Sequence, residues 1–570
     1  MQIHFLGGAT TVTGSQHLLI TERAKVLIDC GMFQGSPNES IRNRIPFAYD
    51  PKELDAVLLT HAHLDHCGLL PLLVKDGYRG PIHATAGTIE LAGLVLLDSG
   101  KLHEEFAKRE ARWEKRHPDK VAADDRKEAD EYEAAVELAA AGDAGATTAS
   151  DAGSTTAATA PAAATAAAAD AASAAAGDED TEHVATTVEP VPGNPPAAWP
   201  SDPEAQLRAQ PPDLQIDLDA PLYTAKDAEA SLASFKAVSY GEEVEVAPGV
   251  HATFVDAGHI LGSAIIRLRV QEHEGGEERI IVCSGDLGRP DTPILRDPTV
   301  MTDADYVLIE STYGGREHEP EAEAIRVLAE TIRMVSDAGG VLLVPSFAIG
   351  RTQEVVWELD RLIERGEIPL LPLYLDSPMA SKASDIYRHH PDYYDEETTK
   401  LLRDGASPLD YPNQTITNDV KASQAIEQAP RPYMIVASNG MLTGGRVVGH
   451  LRNLIDDPNA TILFVGYQGE GTLGAHLQAG ATVVKLDGQE RQVRCKTRSI
   501  SGFSAHADEH ELLDWLAHFA ASKKPGDHGY PRRVFLVHGD PEAQIALEPK
   551  VRDLGFATHV PHWHERVTLD

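Results

Sequence analysis

Cysteine is scarce: Cys30, Cys67, Cys283 and Cys495 are the four in 570 residues, they lie far apart, and no two form a CxxC pair. A disulfide framework is not indicated, and a reducing cytoplasm is the expected compartment. Long apolar runs are also lacking, since nothing approaches the roughly 18 uninterrupted residues that a membrane span requires. The opening MQIHFLGGATTVTGS has neither a basic start nor a long apolar centre, so no signal peptide is expected. Basic residues are outnumbered, with 50 Lys and Arg against 88 Asp and Glu and a formal charge of −38. Long-range repulsion of that size opposes a polyanionic partner. Any nucleic-acid chemistry must then draw its positive field from metals and a few local arginines. The acid coat fits a halophilic source or an ordinary acidic cytosolic protein equally well.

The length calls for two or more domains, and 42% hydrophobic residues suffice for globular folding. The densest chemistry is T-H-A-H-L-D-H-C-G at 60–68, preceded by an apolar run at 56–59 that reads as a buried strand. His61 and His63 stand two residues apart and project to one side of extended chain. Asp65 and His66 follow where the chain would turn into a helix. Four ligands in six residues can serve two adjacent ions, and imidazole with carboxylate suits zinc better than calcium or magnesium.

H-x-H-x-D-H after a short apolar strand resembles the signature of the metallo-β-lactamase fold, and the later segments resemble its β-CASP nucleases, which include RNase J and the nuclease subunit of the pre-mRNA cleavage machinery. Asp29 ends the strand at 25–28, where a carboxylate can orient a metal-bound group, and it matches the family's first motif. His259 sits between glycines after a strand at 251–256 and matches a metal ligand. Asp286 follows a strand at 279–283 and matches the bridging acid. Glu310 ends a strand at 306–309 and resembles the acid that anchors a catalytic histidine. His506, in I-S-G-F-S-A-H-A-D at 500–508, and His538, after a strand at 534–537, match the next two motifs. A histidine at the last position is associated with RNA-active members. The resemblance implies that His61, His63 and His259 hold one Zn2+, that Asp65, His66 and His538 hold a second, and that Asp286 bridges them. It implies that His506, oriented by Glu310, is the general acid. The expected activity is zinc-dependent hydrolysis of RNA, endonucleolytic and within single strands. A 5′–3′ exonuclease, a DNA nuclease of the same fold and a non-catalytic RNA-binding scaffold are the rivals. No further domain follows the last motif, a departure from RNase J that weakens the exonuclease reading.

From about residue 321 the chain alternates helix and strand, which implies a parallel sheet with its ligand crevice beyond the strands' carboxyl ends. Loops there, including P-S-F-A-I-G-R at 345–351 and S-N-G-M-L-T-G-G-R at 438–446, offer backbone N–H groups to phosphate. Arg351, Lys382, Ser438, Gly444, Gly445 and Arg446 are the candidate RNA contacts. His450, His562 and His564 read as structural or exposed.

The expected fold is α/β: a metallo-β-lactamase αββα sandwich at 1–319 and 489–570, with an inserted β-CASP domain of mainly parallel sheet at 320–488. Residues 114–213 read as a charged helix followed by a mobile low-complexity insertion, for which partner docking is the functional alternative. RNA is the expected partner, and a homodimer is one expectation for the assembly.

Overall fold

A computed structural model describes residues 1–35, 37–118, 120–143, 147–148, 220–466, 468–469 and 471–570. Two mixed sheets stack face to face. In the first, Glu565–Thr568, Gln2–Gly7, Gln16–Ile20 and Lys25–Ile28 run antiparallel to their neighbours, and Ala56–Leu58, Ile82–Thr85 and Phe235–Val238 extend it in parallel. Thr147–Thr148 pairs at its outer edge. In the second, Thr558–His559, Arg533–Val537, Tyr306–Glu310 and Glu278–Cys283 are parallel, and the antiparallel strands Ala264–Gln271, Val250–Asp256 and Glu243–Ala247 complete it.

Period-two alternation decides which side chains meet between the sheets. Ala264, Ile266 and Leu268 face Phe5, Val26 and Leu58 across the shared core, while their neighbour Ile265 points outward to Leu512, Trp515 and Leu516. On the far side of the first sheet, Leu27 and Val57 pack with Leu91, Val95 and Leu96 of the long helix Ala86–Arg116. Helices therefore cover both outer faces, giving the αββα order. Phe254 and Phe535 are fully buried in the shared core, and truncating either to alanine would cost about 3–5 kcal/mol.

The third sheet is parallel throughout, in the order Gln414–Ile416, Leu373–Asp376, Tyr433–Ala437, Val341–Pro345, Ala460–Phe464, Lys496–Ser499. Leu342, Val344 and Val436 pack on Leu328, Ile332 and Val355, and the opposite face packs on Val447 and Leu451. Both faces are buried, as near-continuous apolar strands require.

Several boundaries differ from the sequence reading. The edge strand Lys496–Ser499 of the third sheet lies past the expected limit at 488. Helix Ala225–Leu232, capped at Thr224, ends where Phe235–Val238 is taken into the first sheet. Strand Ala264–Gln271 was not anticipated: its arginines at 267 and 269 interrupt the apolar pattern, yet they point to the surface and pair with Asp303, Glu243 and Glu278. The charged segment expected from 114 contributes its first residues to the end of helix Ala86–Arg116 and forms a second helix, Val121–Asp143. The low-complexity stretch at 149–219 lies outside the described residues. No helix among the described residues is long and apolar enough to cross a membrane. All four cysteines are buried thiols.

Candidate metal and catalytic site

Asp29, His61, His259, Asp286, Glu310 and His538 stand at or just past the carboxyl ends of strands in the two stacked sheets, whereas Asp65 and His66 lie on a short helix and His506 on the loop before helix Glu509–Ala517. Strand Ala56–Leu58 delivers Thr60 and His61, and the short helix Leu64–Cys67 turns Asp65 and His66 back toward them. Residues 30–32 clamp this loop: Cys30 N–H donates to the His66 carbonyl at 2.8 Å and Met32 N–H to that of Leu64 at 2.9 Å. Gly31 is needed there because a Cβ would lie 1.6 Å from the Asp65 carbonyl oxygen.

Asp29 follows strand Lys25–Ile28 with φ of +57°, a conformation that Asp tolerates better than most residues. Its carboxylate accepts from Thr60 N–H at 2.8 Å, from the Thr60 hydroxyl at 2.9 Å and from His66 Nδ1 at 2.7 Å. Those bonds fix tautomers. The single Thr60 hydroxyl proton goes to Asp29, so Thr60 Oγ1, 3.1 Å from His61 Nδ1, accepts from that ring. His66 spends its Nδ1 proton on Asp29, and His259 donates from Nδ1 to the Ala505 carbonyl at 3.1 Å. Bare Nε2 lone pairs are thereby left on His61 and His259, and on His66 in its neutral form.

Those lone pairs converge. His61 Nε2 and His259 Nε2 each lie 3.1 Å from His63 Nδ1, and His66 Nε2 lies 3.1 Å from His538 Nε2. One imidazole proton cannot satisfy such a set, whereas a shared cation can. Asp286 stands between the groups. Its Oδ2 is 3.3 Å from His61 Nε2 and 3.6 Å from His259 Nε2, and its Oδ1 is 3.2 Å from His66 Nε2 and 3.5 Å from His538 Nδ1. Asp65 Oδ2 is 3.5 Å from His538 Nε2. The donor atoms of His61, His63, His259 and Asp286 lie within 4.8 Å of one another, as do those of Asp65, His66 and His538. Asp286 Oδ1 is buried and has no hydrogen-bond partner. Residues of this kind fit two metals side by side.

Electrostatics split the histidines. Burial, and then the neighbouring His66, press His61 down to about 3. Burial also brings His63 to about 4, and with His506 it takes His259 well below its ordinary value. These rings are neutral, the state a metal requires. Burial works the same way on His66, but Asp286 and Asp29 outweigh it and hold that ring well above the usual range.

At the solvent edge stands His506. Its Nδ1 is 3.2 Å from both oxygens of Glu310, a carboxylate at 0% exposure, while His506 is 22% exposed. Burial opposes protonation of His506, but Glu310, and then Asp286 and Asp65, overcome it and raise the ring to about 9. Glu310 is itself held by Leu287 N–H at 2.6 Å. With Nδ1 turned to Glu310, the opposite nitrogen is the one left to serve a substrate. The rings of His259 and His538 lie 4.5 and 6.2 Å away, centroid to centroid.

Comparison with known proteins identifies the family. Residues 9–126 match the metallo-beta-lactamase superfamily, 352–477 the Beta-Casp domain, and 490–561 the Zn-dependent metallo-hydrolase RNA specificity domain. Over 547 residues the chain is 32% identical to Ribonuclease TTHA0252 of Thermus thermophilus, covering 96% of this chain and 95% of that one. The chain belongs to the β-CASP family of the metallo-β-lactamase superfamily. It is also 28% identical, over 97% of its length and 69% of the relative's, to Transcription termination factor FttA of Methanosarcina mazei, and 26% identical to the FttA of Methanocaldococcus jannaschii, over 98% and 70%.

The β-CASP lobe treats the expected RNA contacts differently from one another. Arg351 is buried and pairs with Glu354 at 2.5 Å, and Arg446 pairs with Asp376 at 2.7 Å. Both guanidiniums are thus engaged by carboxylates of their own lobe, which sequence could not reveal because Asp376 lies 70 positions before Arg446. Lys382 is exposed, Ser438 is buried against Ser377, and Gly444 faces open space. Gly445, at φ of +78°, is the N-cap of helix Arg446–Leu454. His450 is structural, bonded to Asp376 at 2.6 Å; His562 is exposed.

Sequence reasoning missed the supporting residues of this β-CASP site. Thr60 and Thr312 set the rings of His61 and His538. Arg289 holds the His506 loop through Glu511 and Gly502. Only Thr60, inside the histidine motif, had a signal in the sequence; the others act through folding contacts.

Proposed function

We propose that this chain is a ribonuclease that holds two Zn2+ ions and hydrolyses phosphodiester bonds inside single-stranded RNA. One observation carries the reading: seven imidazoles and carboxylates converge in two adjoining groups around Asp286, with the His506–Glu310 pair beside them at the solvent edge. His61, His63 and His259 would hold one ion, Asp65, His66 and His538 the other, and Asp286 both. The RNA specificity match and the ribonuclease relative support RNA as the substrate class.

When bound, the ions supply Lewis acidity that lowers the pKa of water and offsets phosphate charge. The chain's own groups do the rest. Asp29 and Thr60 keep the lone pairs of His66 and His61 facing inward, and the Ala505 carbonyl does the same for His259. His506 protonates the leaving ribose oxygen as its bond to phosphorus breaks, and Glu310 stabilises the ring while it carries that proton. His63, Asp65 and His506, the partly exposed members of the site, mark the side from which the strand arrives; His61, His66, His259, Asp286 and His538 are buried.

The test is cleavage of an end-labelled single-stranded RNA and its DNA counterpart, with zinc, with chelator, and with zinc restored. Internal RNA products that vanish with chelator and return with zinc are expected. Single-nucleotide release from one end would replace the endonucleolytic reading, and equal cleavage of DNA would replace the RNA reading.

A further inference from the structure

The loop that follows Glu310 grips the loop that carries His506 at several points. Glu319 Oε1 accepts from Ser501 N–H at 2.9 Å and Gly502 N–H at 3.3 Å. Glu509 N–H donates to the Arg316 carbonyl at 3.1 Å, and its carboxylate accepts from Gly315 N–H at 2.7 Å. His318 lies at the centre of this clasp. Its backbone N–H donates to Asp508 Oδ2 at 3.0 Å, and its Nε2 lies 3.1 Å from the carbonyl oxygen of His506 itself. A carbonyl only accepts, so Nε2 carries the proton. The opposite nitrogen, Nδ1, is buried without a hydrogen-bond partner, and the ring stands edge-on to Tyr313 with centroids 4.3 Å apart. His318 therefore has no polar atom free to touch a substrate. It touches the backbone of the residue that does.

From this geometry we infer that His318 is a positioning residue: its Nε2–H holds the His506 carbonyl so that the His506 ring stays seated on Glu310 and aimed at the leaving oxygen. The inference rests on the acid role proposed above for His506. Thr312, Tyr313 and the glycines that follow carry the chain straight from Glu310 to His318, so one continuous segment fixes both members of the pair. Asp508 couples the clasp to helix Glu509–Ala517, because it caps that helix at Glu511 N–H while it accepts from His318. Without the Nε2–H bond the His506 carbonyl loses its donor, and the loop at 501–508 gains freedom to swing the ring off Glu310.

A leaving-group comparison separates this role from a structural one. A ribose oxygen must be protonated as it departs, whereas p-nitrophenolate leaves without a proton. Full-length His318→Ala, His318→Gln and His506→Ala proteins, with zinc content measured, are assayed on a single-stranded RNA and on bis(p-nitrophenyl) phosphate. His318→Ala is expected to lose about 10–100-fold in kcat on RNA, the scale of a lost supporting hydrogen bond, with KM within about twofold and little change on the aryl ester. His318→Gln, whose amide N–H can reach the same carbonyl, is expected to recover most of the loss. Equal losses on both substrates, or loss of fold or zinc in His318→Ala, would assign the residue a structural role and overturn the inference. Should His506→Ala itself show no difference between the substrates, the acid assignment fails first; should it show the difference while His318→Ala keeps full RNA activity, only the positioning role fails.

Discussion

Asp29→Asn isolates one proton. Asn keeps the shape of the side chain and tolerates the left-handed backbone at φ of +57°, so the loop should hold its course. What changes is polarity. Asp29 Oδ2 now accepts from His66 Nδ1 at 2.7 Å and from Thr60 Oγ1 at 2.9 Å, while Oδ1 accepts from Thr60 N–H at 2.8 Å. The Asn oxygen will stay with Thr60 N–H, which places its NH2 group against His66 Nδ1–H. Two donors cannot face each other, so His66 must turn or move its proton to Nε2, the atom aimed at His538 and Asp286. A hydrogen bond to a charged acceptor contributes about 1.5–3 kcal/mol. At about 1.4 kcal/mol per factor of ten, that is about 10–100-fold in affinity for the ion beside His66, which matches the range found when partners of metal ligands are removed. Titration of each zinc against a competing chelator reads the effect. On the proposed two-ion reading, the ion beside His66 should bind about 10–100-fold more weakly, while the ion assigned to His61, His63 and His259 changes less. Unchanged affinity at both positions would refute the orientation argument, and equal weakening at both would mean that Asp29 supports the whole loop rather than one ring.

His506→Ala should keep its zinc and lose about 100–10,000-fold in kcat on RNA, measured by single-turnover cleavage with metal analysis. Arg446→Ala should act mainly on stability, lowering it by about 1.5–3 kcal/mol because the buried Asp376 loses a charge-assisted hydrogen bond; a KM effect on RNA with unchanged thermal midpoint would instead restore a phosphate-binding role. Glu358 is 1% exposed with neither carboxylate oxygen bonded, and burial raises it to about 8 from 4.5. A raised acid is neutral when folded but ionises when unfolded, so its contribution to stability is present below about pH 4.5 and lost as pH rises toward 8. Glu358→Gln should therefore raise the thermal midpoint at pH 8 by the equivalent of about 1–3 kcal/mol and have no benefit near pH 4; the reverse trend would sink the assignment.

Much of the site was legible because its residues sit in short motifs at strand ends. His61 to His66 announce themselves by spacing, and Asp286, Glu310 and His538 each close an apolar run that could hardly be anything but a buried strand. Matching those runs to a family then supplied the order of the ligands, which spacing alone could not. What stayed hidden depends on contacts between distant segments. The pairing of Arg446 with Asp376, and of Arg351 with Glu354 in a buried setting, engages both guanidiniums with carboxylates of their own lobe. His318 was invisible for the same reason: its importance lies in which carbonyl it meets. Strand Ala264–Gln271 escaped because a surface-facing arginine every second residue looks like a break in hydrophobicity when it is only the wet side of a strand.

The order in which the ligands occur along the chain has a bearing on its biosynthesis. His61 precedes the whole β-CASP lobe and His538 follows it, and the strand Glu565–Thr568 that closes on Gln2–Gly7 comes after both. Under the proposed two-ion reading, a growing fragment that has not yet passed the β-CASP lobe lacks His538 and so cannot complete the group it forms with Asp65 and His66.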